Sequence, residues 1–168
     1  FDPPFDNIGD REFNTYTIKI PIKKGERVDK IITVIRDTTD QMYYLNELRA
    51  GEERVKNILE SSPDSITITD LDGKVIDCNE ATLILHGFDS KEEIIGRNAL
   101  EFIHKKDHER AMVNMTRVLA EERLDNLEYE LIRKNGTSFP GRMSASLMRD
   151  GDGKPQAFIG ISSDITDR

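Results

Sequence analysis

The segment SITITDLDGKVIDCN, residues 65–79, carries the local pattern from which the fold class follows. Isoleucine alternates with threonine over residues 65–70, as in a β-strand. A turn rich in aspartate and glycine at residues 71–73 leads into a second short strand at residues 74–78. Asn79 then offers a side-chain oxygen suited to the first turn of a helix. The segment predicts a β-hairpin that runs directly into a helix.

The residues after this hairpin show a block of helical patterns and then a block of strand patterns. Short helical segments that end at glycines precede a longer amphipathic helix, which begins after Asp107. Strand patterns follow at residues 127–131, 139–147 and 155–165. Strands, then helices, then strands imply an α+β fold with an antiparallel sheet and helices on one face.

Residues 31–40 resemble residues 158–167, and each stretch follows a predicted hairpin. A two-stranded hairpin is only marginally stable alone in water. We therefore interpret residues 1–40 as the C-terminal hairpin of a preceding domain, residues 41–62 as a linker helix and residues 63–168 as one complete domain. Four residues recur at the two strand–helix junctions and are expected to relay a signal: Asp37, Thr39, Asp164 and Thr166.

The linker segment has a short heptad seam of apolar residues, Leu45, Leu48, Val55 and Leu59. Apolar residues spaced in this way line the contact between two helices of a coiled coil. Two interpretations remain open: the helix lies on its own domain, or it pairs with a second copy in a parallel homodimer. We predict the parallel homodimer.

The composition excludes several classes of protein. The 168 residues contain 24 Lys+Arg against 32 Asp+Glu, with a net charge of −8, and the basic residues are interleaved with acidic ones. This distribution argues against nucleic-acid binding. No apolar run approaches the length of a membrane span. The single cysteine, Cys78, suits a reducing compartment, so we expect a cytoplasmic protein.

A set of short motifs occurs in a characteristic order: ILESSP (58–63), ITDLDG (68–73), VIDCN (75–79), GF (87–88), KEEIIGR (91–97), FIH (102–104), KNG (134–136) and DIT (164–166). In this order the chain resembles the PAS domain family of sensor modules over residues 55–168. The resemblance implies a five-stranded antiparallel sheet with helices on one face, enclosing a cavity that binds a small molecule in some members. Residues 10–40 resemble the last two strands of a second PAS domain.

Two cofactors of the family are disfavoured by the residues at the matching positions. In the blue-light flavin branch a cysteine follows Gly-Arg-Asn, whereas here Gly96-Arg97-Asn98 is followed by Ala99. In the heme-binding members a histidine lies in the long helix, where this chain has Ala111 and Met112. His86, His104 and His108 have no second metal ligand at helical spacing, so we interpret them as structural or surface residues and expect no metal site.

The ligand, if there is one, is expected to be small and mostly apolar, because apolar residues dominate the segments that would surround the cavity. The cavity candidates are Ile66, Ile68, Leu83, Phe88, Ile95, Leu100, Phe102, Met112, Met115, Tyr129, Leu131, Met143 and Phe158. At the exit of the domain, Asp164 is also expected to pair with a basic residue, either Arg97 or Arg142.

The sequence has no motif for phosphate binding, serine hydrolysis or zinc proteolysis, so no enzymatic activity of its own is expected. We expect a sensory module of a two-component signal-transduction protein. It would relay a conformational change through its flanking helices to an output domain beyond Arg168, a histidine kinase. The alternative is a ligand-free PAS module for dimerisation and protein interaction.

Overall fold

The computed structural model describes residues 13–166. Residues 1–12 and 167–168, which belong to the predicted first and last segments, lie outside the described residues. The chain divides into two compact units between Val55 and Lys56.

The first unit contains a two-stranded antiparallel hairpin, β1 (Thr15–Lys24) and β2 (Arg27–Asp37). Gly25 has a φ of 68° in the turn, a conformation that glycine adopts without steric cost. The apolar pairs Ile18–Val34 and Ile20–Ile32 face each other across the strands, yet all four side chains are exposed. The hairpin therefore has no buried core of its own.

The long helix α1 (Thr39–Ser61) begins in the first unit and ends in the second. It has no buried residue. Of the predicted seam residues, Leu45, Leu48 and Val55 are exposed, and Leu59 is half-buried.

The second unit is built around the antiparallel sheet β4-β3-β7-β6-β5. Its strands are β3 (Ser65–Thr69), β4 (Val75–Cys78), β5 (Arg123–Ile132), β6 (Ser138–Arg149) and β7 (Pro155–Asp164). Helix α2 (Glu80–His86), three short 3₁₀ turns (Lys91–Glu93, Ala99–Phe102 and Lys105–Asp107) and helix α3 (His108–Glu121) lie between β4 and β5 in the chain. The predicted α+β class and five-stranded antiparallel sheet are confirmed.

Helix α2 is capped at both ends, by Asn79 and by Gly87. The Asn79 side chain accepts a hydrogen bond from the Thr82 amide, which leaves fewer unpaired amides in the first turn. At the other end, Gly87 adopts a left-handed conformation with a φ of 73°. The short helix therefore holds Thr82 and His86, one turn apart, on one buried face.

Close packing between β5 and β6 depends on one glycine. A Cβ atom added to Gly141 would lie 2.3 Å from Leu131 Cδ1, a distance that real Cβ contacts do not show. Leu131 is almost fully buried and belongs to a core cluster that includes Ile103, Tyr129 and Phe139. Two further clusters, centred on Val75 and Val118, complete the core of this unit.

Candidate functional site

The second unit encloses a cavity of about 100 Å³. Because side chains alternate along a strand, each strand that lines the cavity contributes every second residue. The strand residues are Thr67 and Thr69 of β3, Leu127, Tyr129 and Leu131 of β5, Met143 and Ala145 of β6, and Phe158, Gly160 and Ser162 of β7. The helices and turns contribute Thr82, His86, Ala99, Leu100, Phe102, Ile103, Ala111, Asn114, Met115 and Val118.

Part of the predicted cavity set lies on this cavity. The structure brings together Leu100, Phe102, Met115, Tyr129, Leu131, Met143 and Phe158. They come from five different elements, so the sheet pairing and the placement of α3 are what assemble them.

The other candidates lie elsewhere. Ile66 and Ile68 alternate with the threonines of β3 that line the cavity, so they lie on the opposite face of the sheet. The side chains of Leu83 and Phe88 pack on a separate core cluster formed by Val75, Cys78 and Ile94. Ile95 and Met112 are 44% and 51% exposed. None of these six side chains lines the cavity.

Hydrogen-bonding groups are set into the cavity wall. The buried Asn114 amide donates a 2.8 Å hydrogen bond to the Tyr129 hydroxyl. The Thr82 hydroxyl lies 2.9 Å from the Ser65 hydroxyl. These pairs join α3 to β5 and α2 to β3, so the wall is fastened by polar contacts as well as by apolar packing.

His86 is a cavity residue that sequence reasoning assigned to a structural or surface role. It is 5% exposed, and its ring lies 5.1 Å from the Phe102 ring. Nδ1 lies 2.8 Å from the Ile132 carbonyl oxygen. Since a carbonyl only accepts, Nδ1 carries the hydrogen and donates it. The spacing of Thr82 and His86 indicates a shared face of one helix, but it does not indicate that His86 contacts β5, whose Ile132 is 46 residues further along the chain.

The electrostatic surroundings keep His86 neutral. Burial lowers the pKa of His86 below the ordinary value of 6.5, and the nearby Arg133 cation lowers it further. The hydrogen bond to Ile132 acts in the opposite direction and does not reverse the shift. In the neutral ring with a hydrogen on Nδ1, Nε2 carries a lone pair and acts as an acceptor.

The end of α1 is fastened to the start of α2 by Asn79 and Glu60. Asn79 is 2% exposed, and its side-chain Nδ2 donates to the backbone carbonyls of Leu59 (3.0 Å) and Asp64 (2.9 Å). The Glu60 carboxylate accepts from Lys91 Nζ at 2.7 Å and from the Glu80 amide at 2.9 Å. These hydrogen bonds lower the pKa of Glu60.

The end of β7 is held by Asp164. One carboxylate oxygen accepts from the amide of Thr166 at 2.9 Å and from the Thr166 hydroxyl, and the other accepts from Arg133 at 2.8 Å. These hydrogen bonds, the one from the Thr166 hydroxyl foremost, lower the pKa of Asp164. The prediction that Asp164 pairs with Arg97 or Arg142 is wrong, because its basic partner is Arg133. Arg97 bonds within its own turn to Glu93 and Glu101, and Arg142 lies 3.6 Å from Glu128.

Arg133 joins this exit to the cavity wall. Its guanidinium also donates to the Leu85 carbonyl and lies 4.0 Å from the centre of the Phe139 ring. The flanking residues bond to His86: the Ile132 carbonyl accepts from its ring, and the Lys134 amide donates to its carbonyl at 2.8 Å. We call residues 132–134 the relay segment, because it contacts both α2 and Asp164.

The first unit has the same junction at the end of its hairpin. Asp37 accepts from the Thr39 amide at 2.9 Å and from the Thr39 hydroxyl at 2.6 Å, and these bonds lower its pKa. The amide of the residue after the aspartate bonds back across the hairpin in both copies, Thr38 to Asn14 at 2.7 Å and Ile165 to Pro140 at 3.0 Å. The sequence repeat is therefore also a repeat of hydrogen bonds.

No group of three or more His, Cys, Asp or Glu side chains within residues 13–166 is arranged to hold a metal ion. No helix in the same range is long and apolar enough to span a membrane.

Comparison with known proteins agrees with the geometry. A family model described as a PAS domain matches residues 63–167. The PAS domain of a protein from Colwellia psychrerythraea is 24% identical, with a TM-score of 0.64, over 69% of this chain and 98% of that chain. The PAS domain of an HTR-like protein from Haloarcula marismortui is 24% identical, with a TM-score of 0.63, over 74% of this chain and 99% of that one.

A third similar structure, an RNA-binding light-oxygen-voltage receptor, is 18% identical, with a TM-score of 0.61, over 93% of this chain and 40% of that chain. At these identities the structural likeness shows the fold alone. No curated protein matches the chain. The family match over residues 63–167 and the shared five-stranded sheet carry the assignment: the chain belongs to the PAS domain family of sensory and interaction modules.

Proposed function

We propose that this chain is a sensory module that binds a small, mostly apolar ligand in its cavity and relays the change through its flanking helices to an output domain. One observation carries the proposal: His86 in the cavity wall and Asp164 at the exit both contact the relay segment. A ligand that shifts α2 would act on the same residues that hold the end of β7.

The cavity volume limits the ligand to a small molecule. An apolar cavity of about 150 Å³ in another protein binds benzene. A cavity of about 100 Å³ therefore suits a molecule somewhat smaller than benzene. Heme and flavin are several times larger, and Ala99, which stands at the position of the flavin-binding cysteine, lines this wall without a thiol.

Hydrogen bonds connect the proposed relay to the chain on both sides of the domain. Asn79 and Glu60 connect α2 to the end of α1, and Asp164 and Thr166 hold the residues that lead toward Arg168. The proposed output domain is a histidine kinase of a cytoplasmic two-component system, following the resemblance of the whole chain to a PAS tandem. Residues 1–40 would then be the last hairpin of a preceding PAS domain, an assignment supported by the repeated Asp–Thr junction.

The exposed seam of α1 supports a homodimer within the same proposal. Leu48 and Val55 are 61% and 59% exposed, and pairing with a second α1 would remove them from water. The seam and the small cavity also favour a second candidate function, a ligand-free module for dimerisation and protein interaction. In that case the cavity is a packing defect of the core and not a binding site.

A binding screen separates the two functions. The 15N-labelled chain is mixed with neutral organic molecules of about four to six heavy atoms, a size set by the cavity volume. The sensory function predicts saturable amide shifts that begin at the cavity-lining strands for at least one molecule. If every molecule leaves these amides unmoved, the sensory function is contradicted and the interaction module remains.

A further inference from the structure

The cavity wall gives no support to a charged ligand. Its lining side chains include no lysine, arginine, aspartate or glutamate within residues 13–166. A charge buried here would have no opposite charge beside it, which is strongly unfavourable in a medium of low polarity. The ligand of this cavity is therefore uncharged.

His86 presents one unused hydrogen-bond acceptor. Nδ1 is committed to the Ile132 carbonyl, and Nε2 has no hydrogen-bond partner among the described residues. The ring is buried against Phe102 and Phe139, and the side chain lines the cavity. An acceptor on a side chain that lines the cavity complements a ligand that carries a hydrogen-bond donor.

Two hydroxyl groups on the sheet side of the cavity are also unused. Thr69 of β3 and Ser162 of β7 are 7% and 6% exposed, and neither hydroxyl has a hydrogen-bond partner in the described part of the chain. A hydroxyl both donates and accepts, so these groups complement a polar ligand atom of either kind. The apolar remainder of the wall suits the rest of a small molecule.

We propose that the cavity selects a small uncharged molecule bearing a hydrogen-bond donor, an alcohol O–H or a heterocyclic N–H, and that His86 Nε2 accepts this hydrogen. The inference rests on the proposed function, because it requires the cavity to be a ligand site. It adds the chemical class of the ligand and the residue that distinguishes it from purely apolar molecules of equal size.

Pyrrole and furan form a matched pair of probes for this selectivity. Both are five-membered rings of nearly equal size and within the cavity volume, but only pyrrole has an N–H donor. Each is titrated into the full chain while the side-chain nitrogen resonances of His86 are followed by long-range 1H–15N NMR. The same titrations are made with His86→Phe, and with His104→Phe as a control at a histidine that does not line the cavity.

The proposal predicts that pyrrole binds about tenfold more tightly than furan, the equivalent of one hydrogen bond. It also predicts that pyrrole, and not furan, shifts the Nε2 resonance in the unmodified chain, a result that does not depend on any variant folding. His86→Phe should remove the preference, and His104→Phe should keep it. Equal binding of both rings with an unmoved Nε2 resonance overturns the inference and leaves a ligand-binding cavity. Binding of neither ring overturns the inference, and the screen of varied small molecules then decides separately whether the cavity is a site at all.

Discussion

Replacing Asn79 with alanine tests how firmly the end of α1 is fastened to the PAS domain. Asn79 is 2% exposed, and its side chain makes four backbone hydrogen bonds: its oxygen accepts from the amides of Ile66 and Thr82, and its nitrogen donates to the carbonyls of Leu59 and Asp64. Loss of the helix cap alone costs about 0.5–2 kcal/mol. Each further buried group left without a partner costs about 1 kcal/mol or more.

The expected loss in the free energy of unfolding is therefore about 3 kcal/mol for Asn79→Ala. Asn98→Ala is the matched control, because Asn98 also caps a helical turn but is exposed to water. That control should cost only about 1 kcal/mol. Urea unfolding followed by circular dichroism measures both values. Equal losses in the two variants would refute the reasoning that the buried Asn79 side chain holds the end of α1, the start of β3 and the first turn of α2 together.

Three further changes have definite expected outcomes. Gly141→Ala should lower the unfolding free energy by about 1–3 kcal/mol in urea, because the new Cβ meets Leu131. The free energy of unfolding of the unmodified chain should fall as the pH drops below 6.5, the ordinary histidine pKa. In that range His86 of the unfolded chain binds a proton, whereas the buried His86 of the folded chain stays neutral. Thermal melts at several pH values should show a weaker dependence for His86→Phe. Leu48→Lys with Val55→Lys should convert a dimer to a monomer in sedimentation analysis.

Each of these outcomes has a control or a contrary result. Gly160→Ala adds the same methyl group to a neighbouring strand, where the nearest atom is 3.8 Å away, and should be tolerated. Stability that is flat between pH 6.5 and pH 5 would contradict a neutral buried His86. Unchanged sedimentation of the double variant, or a monomeric unmodified chain, would contradict pairing through the α1 seam.

The element order was predictable because it depends on local patterns. Alternation over β3, the turn that follows it and the cap at Asn79 all lie within one short stretch, so the hairpin and the start of α2 follow from neighbouring residues. The strand block at the end of the chain has the same kind of local signal. The family resemblance predicted five antiparallel strands but not their order, which places β7 beside β3, a strand about 90 residues earlier in the chain.

The cavity was predictable only in part. In β3 the isoleucines were expected to face the cavity, but Thr67 and Thr69 line it. The prediction failed because β3 is an interior strand of the sheet, and residues on both of its faces are at least partly buried. Apolar character alone does not choose between two covered faces. The roles of His86 and Arg133 depend on contacts between residues more than 30 positions apart, which no local pattern encodes.

The most direct test of the central claim measures whether an occupied cavity is felt at the exit of the domain. Pyrrole is added to the 15N-labelled chain, and the amide resonance of Thr166 is followed beside those of the cavity strands. The same titration is made with Arg133→Gln, and with Arg123→Gln as a control, since Arg123 pairs with Asp125 at an exposed site.

The account predicts that Thr166 shifts together with the cavity amides in the unmodified chain and in Arg123→Gln. In Arg133→Gln the cavity amides should still shift while Thr166 no longer responds, because the contact between the relay segment and Asp164 is lost. Two results would contradict the coupling of cavity to exit through Arg133. In one, the cavity amides of the unmodified chain shift while the Thr166 amide does not. In the other, the Thr166 amide of Arg133→Gln shifts as much as that of the unmodified chain.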